Sequence, residues 1–213
     1  MDLLRDVLQY TVDNQDRLLD DLWIHVRLSL YALLLAMALF IPLGVLASRS
    51  RRIGPPLVAL VAAARVVPSL ALLFLMLPWL GTGFEPALVA LTILAGPPLI
   101  VNTDAAMRNV NGFVLESARG LGMNPLQVFT RVHLPLSLPV IVTGIRSATI
   151  DIIASATLAA FIGAGGLGTY ILSGLTLRNT SLLLVGAIPV IVLALTADAI
   201  LTGVERLVTP PAT

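Results

Sequence analysis

The stretch VRLSLYALLLAMALFIPLGVLAS (26–48) carries a single charge, Arg27, and is otherwise almost wholly apolar. Crossing the hydrocarbon core of a bilayer takes about 20 such residues in one helix, because a helix alone satisfies its backbone polar groups without water or a partner strand. Four further stretches have comparable length and character: PPLVALVAAARVVPSLALLFLMLPWL (55–80), PALVALTILAGPPLIVNTDAAM (86–107), LPVIVTGIRSATIDIIASATLAAFIGA (138–164) and SLLLVGAIPVIVLALTADAILTGV (181–204). Hydrophobic residues make up 57% of the 213 and charged residues 12%, against about 25% charged in a soluble domain. The pattern predicts an all-α, polytopic helical membrane protein with about five transmembrane helices.

The charges that remain are sorted along the chain. Arg49, Arg51 and Arg52 lie between the first and second stretches; Arg108, Arg119 and Arg131 lie between the third and fourth; Arg206 follows the fifth. The other linkers, around GTGFE and GLTLRNTS, offer only Arg178. Positive charge marks the cytoplasmic side. Five spans therefore put the N-terminus outside and the C-terminus in the cytoplasm, with every arginine cluster on one side. Six spans, with 55–80 counted as two, would divide the clusters. The N-terminus, MDLLRDVLQYTVDNQDRLLDD, is acidic and amphipathic and lacks the basic start and apolar core of a secretory signal. The organisation expected is an extracytoplasmic amphipathic segment (1–22), a transmembrane domain (23–208) and a short tail (209–213) in a cytoplasmic (inner) membrane.

Several functions are excluded by what is missing. All thirteen basic residues are arginine. Without lysine there is no phosphate-loop lysine for nucleotide hydrolysis and none for a Schiff base. Without cysteine there is no thiolate chemistry. His25 and His133 stand alone, without metal-ligand spacing, and His133 is expected at a solvent-facing or interface position. No catalytic residue, metal or cofactor is expected in this chain. If ATP drives it, a partner hydrolyses the ATP.

Proline and glycine interrupt the spans at Pro68 and at Gly96-Pro97-Pro98, the latter predicting a break in the third span. Such breaks are tolerated where neighbouring helices or a water-lined cavity satisfy the freed backbone groups. Charges inside spans face a bundle interior or a cavity, usually in pairs. Asp104, Arg146, Asp151 and Asp198 fall in or at the ends of spans. Arg146 and Asp151, five apart, exceed the i, i+4 spacing of helical ion pairs, so an interhelical partner such as Asp198 for Arg146 is the alternative. These charges either fix helix register or line a path for substrate or protons, and Arg65 either snorkels or lines that path. FIGAGGLG (161–168) precedes no nucleotide-binding unit, so it reads as close backbone packing or a bend at an outer gate. The candidate translocation path or gate comprises Arg65, Pro68, Ser69, Arg146, Asp151, Phe161, Gly165 and Gly166.

Between the third and fourth spans lies ESARGLGMNPLQVFTRVHLPLSLPVI (116–141). Asn111 or Gly112 starts a short helix, which Gly122 stops as a helix-terminating glycine does. Asn124-Pro125 starts a second, with Asn as N-cap and Pro at the first helical position. Leu126, Phe129 and Val132 recur every third residue, and the helix is expected to stop before Leu134-Pro135. The readings open on pattern alone are an ordinary interfacial loop with helical turns and a helical hairpin with a mechanical role. Nucleic-acid binding is excluded: the flanks are membrane spans and two arginines supply no basic cluster.

The hairpin resembles the cytoplasmic signature of permease subunits from binding-protein-dependent ABC importers of the small type I class. That signature runs Glu-Ala-Ala, three residues, Gly, nine residues, Ile, one residue, Leu-Pro. Here Glu116-Ser117-Ala118, Gly122, Val132 and Leu134-Pro135 keep every spacing, with Ser117 for Ala and Val132 for Ile. The resemblance implies that 111–135 is a coupling hairpin seated in a groove of a separate ATPase subunit. It implies as partners those ATPases, an extracytoplasmic substrate-binding protein and a second permease subunit, identical or similar. Residues 66–83, 155–175 and 185–198, and more loosely 18–209, resemble permeases for quaternary-amine osmoprotectants: glycine betaine, choline and carnitine. Methionine permeases carry related glycine-rich stretches, which leaves methionine, another small amino acid or a sulfonate as the alternative substrate. The rival of another class is a secondary transporter, which would show an inverted internal repeat.

Overall fold

The computed structural model describes residues 2–209; the expected C-terminal tail lies, apart from Thr209, outside the described residues. Among the described residues every regular element is helical. A short helix α1 (Asp2–Asp13) leads into α2 (Gln15–Arg49), whose 35 residues exceed the about 20 needed to span. The backbone passes residue 22 without a break, so that residues 15–22 of the N-terminal segment share α2 with the first span. Val7 of α1 is buried with Tyr170 and Val185, and the Tyr10 and Tyr170 rings meet edge to face at 6.3 Å.

The second span is not one rod. Helix α3 (Gly54–Ala62) tightens into a 3-10 turn over Ala63–Val66, Val67 and Pro68 run extended, and α4 (Ser69–Leu80) leaves at 98°. Proline disfavours helical backbone in the residue before it, and Val67, at φ −75° and ψ 123°, obeys. Among the described residues four helices are long and apolar enough to cross a membrane, or five if this bent pair is one span.

The break expected at Gly96-Pro97-Pro98 is not there. Helices α5 (Phe84–Leu94) and α6 (Gly96–Arg108) run on as one 25-residue span. Both prolines take the first turn of α6, where an N–H is dispensable, and Ala95 N–H still reaches the Leu91 carbonyl at 3.0 Å. The fourth span is likewise displaced from 138–164. Helix α9 (Leu134–Ala156) continues back through a π-helical turn (Phe129–His133) into α8 (Pro125–Val128), giving a 32-residue helix, and a 3-10 turn (Leu158–Ile162) follows it. Helix α10 (Gly168–Thr176) and the last span, α11 (Thr180–Val208), complete the chain.

Spans α2, α5–α6 and α9 form the core. Leu28, Ala32 and Ala36, Ala87, Leu91 and Ala95, and Ala148, Ile152 and Ala156 are all buried, each set at a spacing of four that makes one stripe per helix. Lipid tails are as apolar as these side chains, so small residues that permit close backbone approach drive the packing. At Gly144 a Cβ would lie 2.7 Å from Asn102 Cβ, and at Gly44 2.7 Å from Thr103 Cβ. Alanine at either position would push α6 away.

One end of the bundle gathers Ser50, Arg108 and the helices of 111–133; the other gathers Asp21, Gly83, Ile162 and Gly166. Arg108 donates to the Ala47 and Ser50 carbonyls at 2.8 and 3.3 Å while paired with Asp104 at 2.8 Å, which caps the C-terminus of α2. At the opposite end Gly83 N–H donates to the Ile162 carbonyl at 2.8 Å, and Gly166 N–H to the Asp21 carboxylate at 3.2 Å.

Candidate coupling hairpin and translocation path

The hairpin is built from two caps. Helix α7 (Gly112–Gly120) begins at Asn111, whose side chain accepts from Phe113 N–H at 2.9 Å. It ends where Gly122 N–H reaches the Arg119 carbonyl at 2.9 Å and Met123 N–H the Ala118 carbonyl at 3.3 Å, the paired bonds of a Schellman ending. That geometry needs the left-handed backbone Gly122 adopts, φ +85°. Asn124 and Gln127 then exchange side-chain and backbone hydrogen bonds, each 2.9 Å, closing a capping box on α8 with Pro125 in its first turn.

The helix stop expected before Leu134-Pro135 is not there: the helix runs on from Pro125 to Ala156. Pro135 in a regular helix would clash with the Arg131 carbonyl. The π turn removes the conflict: Leu134 N–H reaches back five residues to the Phe129 carbonyl and the turn widens. The hairpin is therefore continuous with the fourth span.

The motif residues divide by exposure. Glu116, Ser117, Gly122 and Pro135 are exposed, Ala118 is buried, and Phe129, Val132 and Leu134 are half-buried. Phe129 carries the Arg49 guanidinium 5.5 Å over its ring and meets the His133 ring edge to face at 6.2 Å. His133 bonds to the Met107 carbonyl at 2.9 Å through Nε2. His133 is thus a half-buried strut between hairpin and α6 rather than a solvent-facing side chain, because α6 ends beside it. Sequence reasoning also missed the apolar tip. Phe113, Leu121 and Leu126 are 76%, 83% and 71% exposed, although a helix–glycine–helix pattern with large apolar residues outside its buried face could have shown it. Arg49, Arg119 and His133 line a cavity of about 440 Å³ beneath the hairpin.

The candidate path residues fall in three places. Arg65, Pro68 and Ser69 at the broken span face Asp151 and Ser155 of α9 across an open cavity of about 310 Å³. A neighbouring cavity of about 520 Å³ adds Ser147 and shares Arg65 and Asp151. Arg146 is elsewhere: five residues before Asp151, it points to another side of α9. It forms an ion pair with Asp198 of α11 and a longer contact of 3.6 Å with Glu205, which accepts from Thr143 at 2.9 Å. This is the interhelical partner named among the sequence alternatives, and it ties α9 to α11. Phe161, Gly165 and Gly166 lie at the far end of the bundle. Gly163, Gly165 and Gly166 have φ of 77°, 77° and 81°, and at Gly168 a Cβ would run into the Thr157 carbonyl. The glycine block is a tight turn with close backbone packing.

A helical bundle with one sharply broken span, a polar cavity at that break and a capped hairpin at one end is the membrane domain of a transporter. The chain belongs to the family of binding-protein-dependent transport system inner membrane components, whose model matches residues 40–210. It is 40% identical over 207 residues to the choline transport system permease protein OpuBB of Bacillus subtilis (strain 168), covering 97% of this chain and 95% of that one. It is 41% identical over 206 residues to the carnitine transport permease protein OpuCB of Listeria monocytogenes, covering 97% and 94%. The osmoprotectant import permease protein OsmW of Salmonella typhimurium is 33% identical over 210 residues, covering 96% and 98%. The fold matches a chain of the MetNI methionine ABC transporter in inward-facing conformations (TM-score 0.80, 22% identity, 91% of this chain and 96% of that one). It also matches a chain of an amino acid ABC transporter with histidines (TM-score 0.76, 20% identity, 93% and 97%). The fold is that of the membrane subunits of such importers, and the chain is an inner-membrane component of a transport system.

Proposed function

We propose that this chain is the permease subunit of an ATP-driven importer for small quaternary-amine osmoprotectants such as choline, carnitine and glycine betaine. The observation that carries the reading is identity of 40% across nearly the whole chain to a choline permease. The methionine alternative is weaker, since the methionine transporter is similar at 22% identity and so in fold alone. The chain works as one of two membrane subunits, identical or similar, with ATPase subunits on the arginine-rich side and a substrate-binding protein on the other. That places the N-terminus outside and the C-terminus in the cytoplasm, in keeping with the arginine asymmetry.

In this reading the exposed Glu116, Ser117, Phe113, Leu121 and Leu126 form the surface that enters the ATPase groove. Gly122 sets the angle between the two short helices. Phe129, Val132, Leu134 and Pro135 pass hairpin movement into α9. ATP binding closes the ATPases, and the bundle shifts between inward- and outward-open states. Arg65, Pro68, Ser69 and Asp151 line the path, Arg146 holds α9 against α11, and Phe161, Gly165 and Gly166 shape the outer gate. The test is uptake into proteoliposomes containing this chain, its ATPase and its binding protein, with radiolabelled choline, carnitine, glycine betaine and methionine. ATP-dependent uptake of a quaternary amine but not methionine is expected; the reverse refutes the assignment. The purified chain without ATPase subunits should show background ATP hydrolysis only.

A further inference from the structure

Arg65 and Asp151 are opposite charges that share a cavity yet make no ion pair with each other. The three ion pairs among the described residues join Arg108 to Asp104 and Arg146 to Asp198 and Glu205. Both side chains are exposed on the single chain. Their depth is set by Leu94, which lines the same cavity near the middle of the 25-residue span Phe84–Arg108. A charge at that depth is not stable against lipid, and faces a bundle interior or a water-filled cavity. The surroundings are polar along one stripe of α9: Ser147, Asp151 and Ser155, each one turn from the next.

The break at Pro68 adds a third feature. Helix α4 starts at Ser69, and its first intrahelical bond runs from Leu72 N–H to the Pro68 carbonyl at 3.1 Å. The N–H groups of the first turn have no intrahelical acceptor and carry the positive end of the helix dipole. In broken transmembrane helices such an end faces the anionic group of a substrate. Arg65, three residues earlier, puts a full positive charge beside it. The cavity thus has a positive side, made by Arg65 and the start of α4, and a negative side, made by Asp151.

We propose that Arg65 and Asp151 form a dipolar subsite for zwitterionic quaternary amines within the translocation path. Asp151 faces the trimethylammonium end, and Arg65 with the α4 N-terminus faces the carboxylate. This rests on the osmoprotectant reading above and deepens it, since it makes Arg65 a specificity-determining residue. Glycine betaine and carnitine carry both charges, whereas choline carries only the cation. Loss of Arg65 therefore removes a contact that zwitterions use and choline does not.

The experiment measures uptake of glycine betaine, carnitine and choline into proteoliposomes containing the full importer with its own binding protein, and ATPase co-purification for every variant. Arg65→Gln is expected to lower uptake of both zwitterions by about tenfold while choline stays within about twofold, and Asp151→Asn to lower all three, because a site that bonds a charged group loses most when its partner is removed. Arg65→Lys, which keeps the charge, should retain most zwitterion uptake. Equal loss of choline and zwitterions in Arg65→Gln, with normal ATPase co-purification, overturns the subsite. So does restoration by the charge swap Arg65→Asp with Asp151→Arg, which would identify a structural ion pair with the second membrane subunit. A wild-type importer that moves none of the three refutes the osmoprotectant reading and this subsite with it; a wild type that moves them beside unselective variants refutes the subsite alone.

Discussion

Gly122 offers a clean test of the hairpin, because backbone strain there can be separated from steric clash. Its φ is +85°, and a Cβ built on it meets nothing within 4 Å. Within this chain a substitution there acts through the backbone and not through a clash, and the Asn and Val pair separates that strain from added bulk at the docking surface. An L-residue held in the left-handed region costs about 1–2 kcal/mol, more for a β-branched side chain and less for Asn, whose short amide tolerates that region. The hairpin relieves the strain by giving up the two bonds from Gly122 and Met123 to the Arg119 and Ala118 carbonyls, which rotates α8 relative to α7. A cost of 1–2 kcal/mol lowers the population of the native turn by about 5- to 30-fold. We predict that Gly122→Val weakens binding of the isolated ATPase subunit to the permease in lipid nanodiscs by about that factor, and that Gly122→Asn weakens it by less than about twofold. The remote spans should melt at the wild-type temperature in both. Wild-type affinity in Gly122→Val, or equal damage from Asn and Val, would refute the argument that the left-handed turn sets the docking angle.

Three further predictions use other parts of the bundle. Gly168→Ala directs a Cβ into the Thr157 carbonyl and should destabilise by about 1–3 kcal/mol in thermal unfolding, as overpacking does, whereas Gly203→Ala, with nothing within 4 Å of its Cβ, should leave the melting temperature unchanged or raised. Arg146→Gln and Asp198→Asn should each lower the melting temperature, and the double variant should lose less than the sum; strict additivity would mean that the pair between α9 and α11 contributes nothing. Ser50→Cys should resist impermeant thiol reagents applied outside intact cells and Thr82→Cys should react, labelling being clean in a chain without native cysteine; strong labelling at 50 would overturn the orientation.

The spans were legible because an apolar run of 20 residues has few alternatives, and the hairpin caps were legible because Asn-Pro and a lone Gly carry local backbone instructions. The errors were at prolines. Gly96-Pro97-Pro98 reads as a break, yet Pro97 and Pro98 sit where a new helical turn needs no N–H, so the rod continues. Leu134-Pro135 reads as a stop, yet a π turn five residues long accommodates the ring. Only Val67-Pro68 broke its helix, and there the chain turns by 98°. A sequence shows that proline removes a donor; whether neighbouring turns can absorb the loss is a tertiary matter. The partners of Arg146 were legible only as a shortlist, since helix periodicity gives direction but not which helix lies opposite. His133 had no signal at all, because its partner is the Met107 backbone carbonyl, 26 residues away.

The continuity of the hairpin with α9 has a mechanical consequence. Val132, in the signature, and Asp151, at the cavity, lie on one 32-residue helix. At 1.5 Å per residue they are about 28 Å apart along its axis. A tilt of about 10° about the hairpin end would carry Asp151 through about 5 Å, enough to widen or close its separation from Arg65. Had the helix stopped before Leu134-Pro135, a flexible joint would absorb that tilt. The π turn is the softest point between the two, and it is braced: Phe129 by Arg49 of α2, His133 by the end of α6, and Ser137 by a bond to the His133 carbonyl at 2.8 Å. Arg146 grips α11 between Val132 and Asp151, so a tilting α9 takes α11 with it, while Arg65 sits on a different element, the 3-10 turn that follows α3, joined to α4 through the Pro68 break. The two charges of the cavity thus belong to different elements, and if the subsite proposed above holds, a tilt of α9 driven from the hairpin would change the separation of the charges that grip a dipolar substrate.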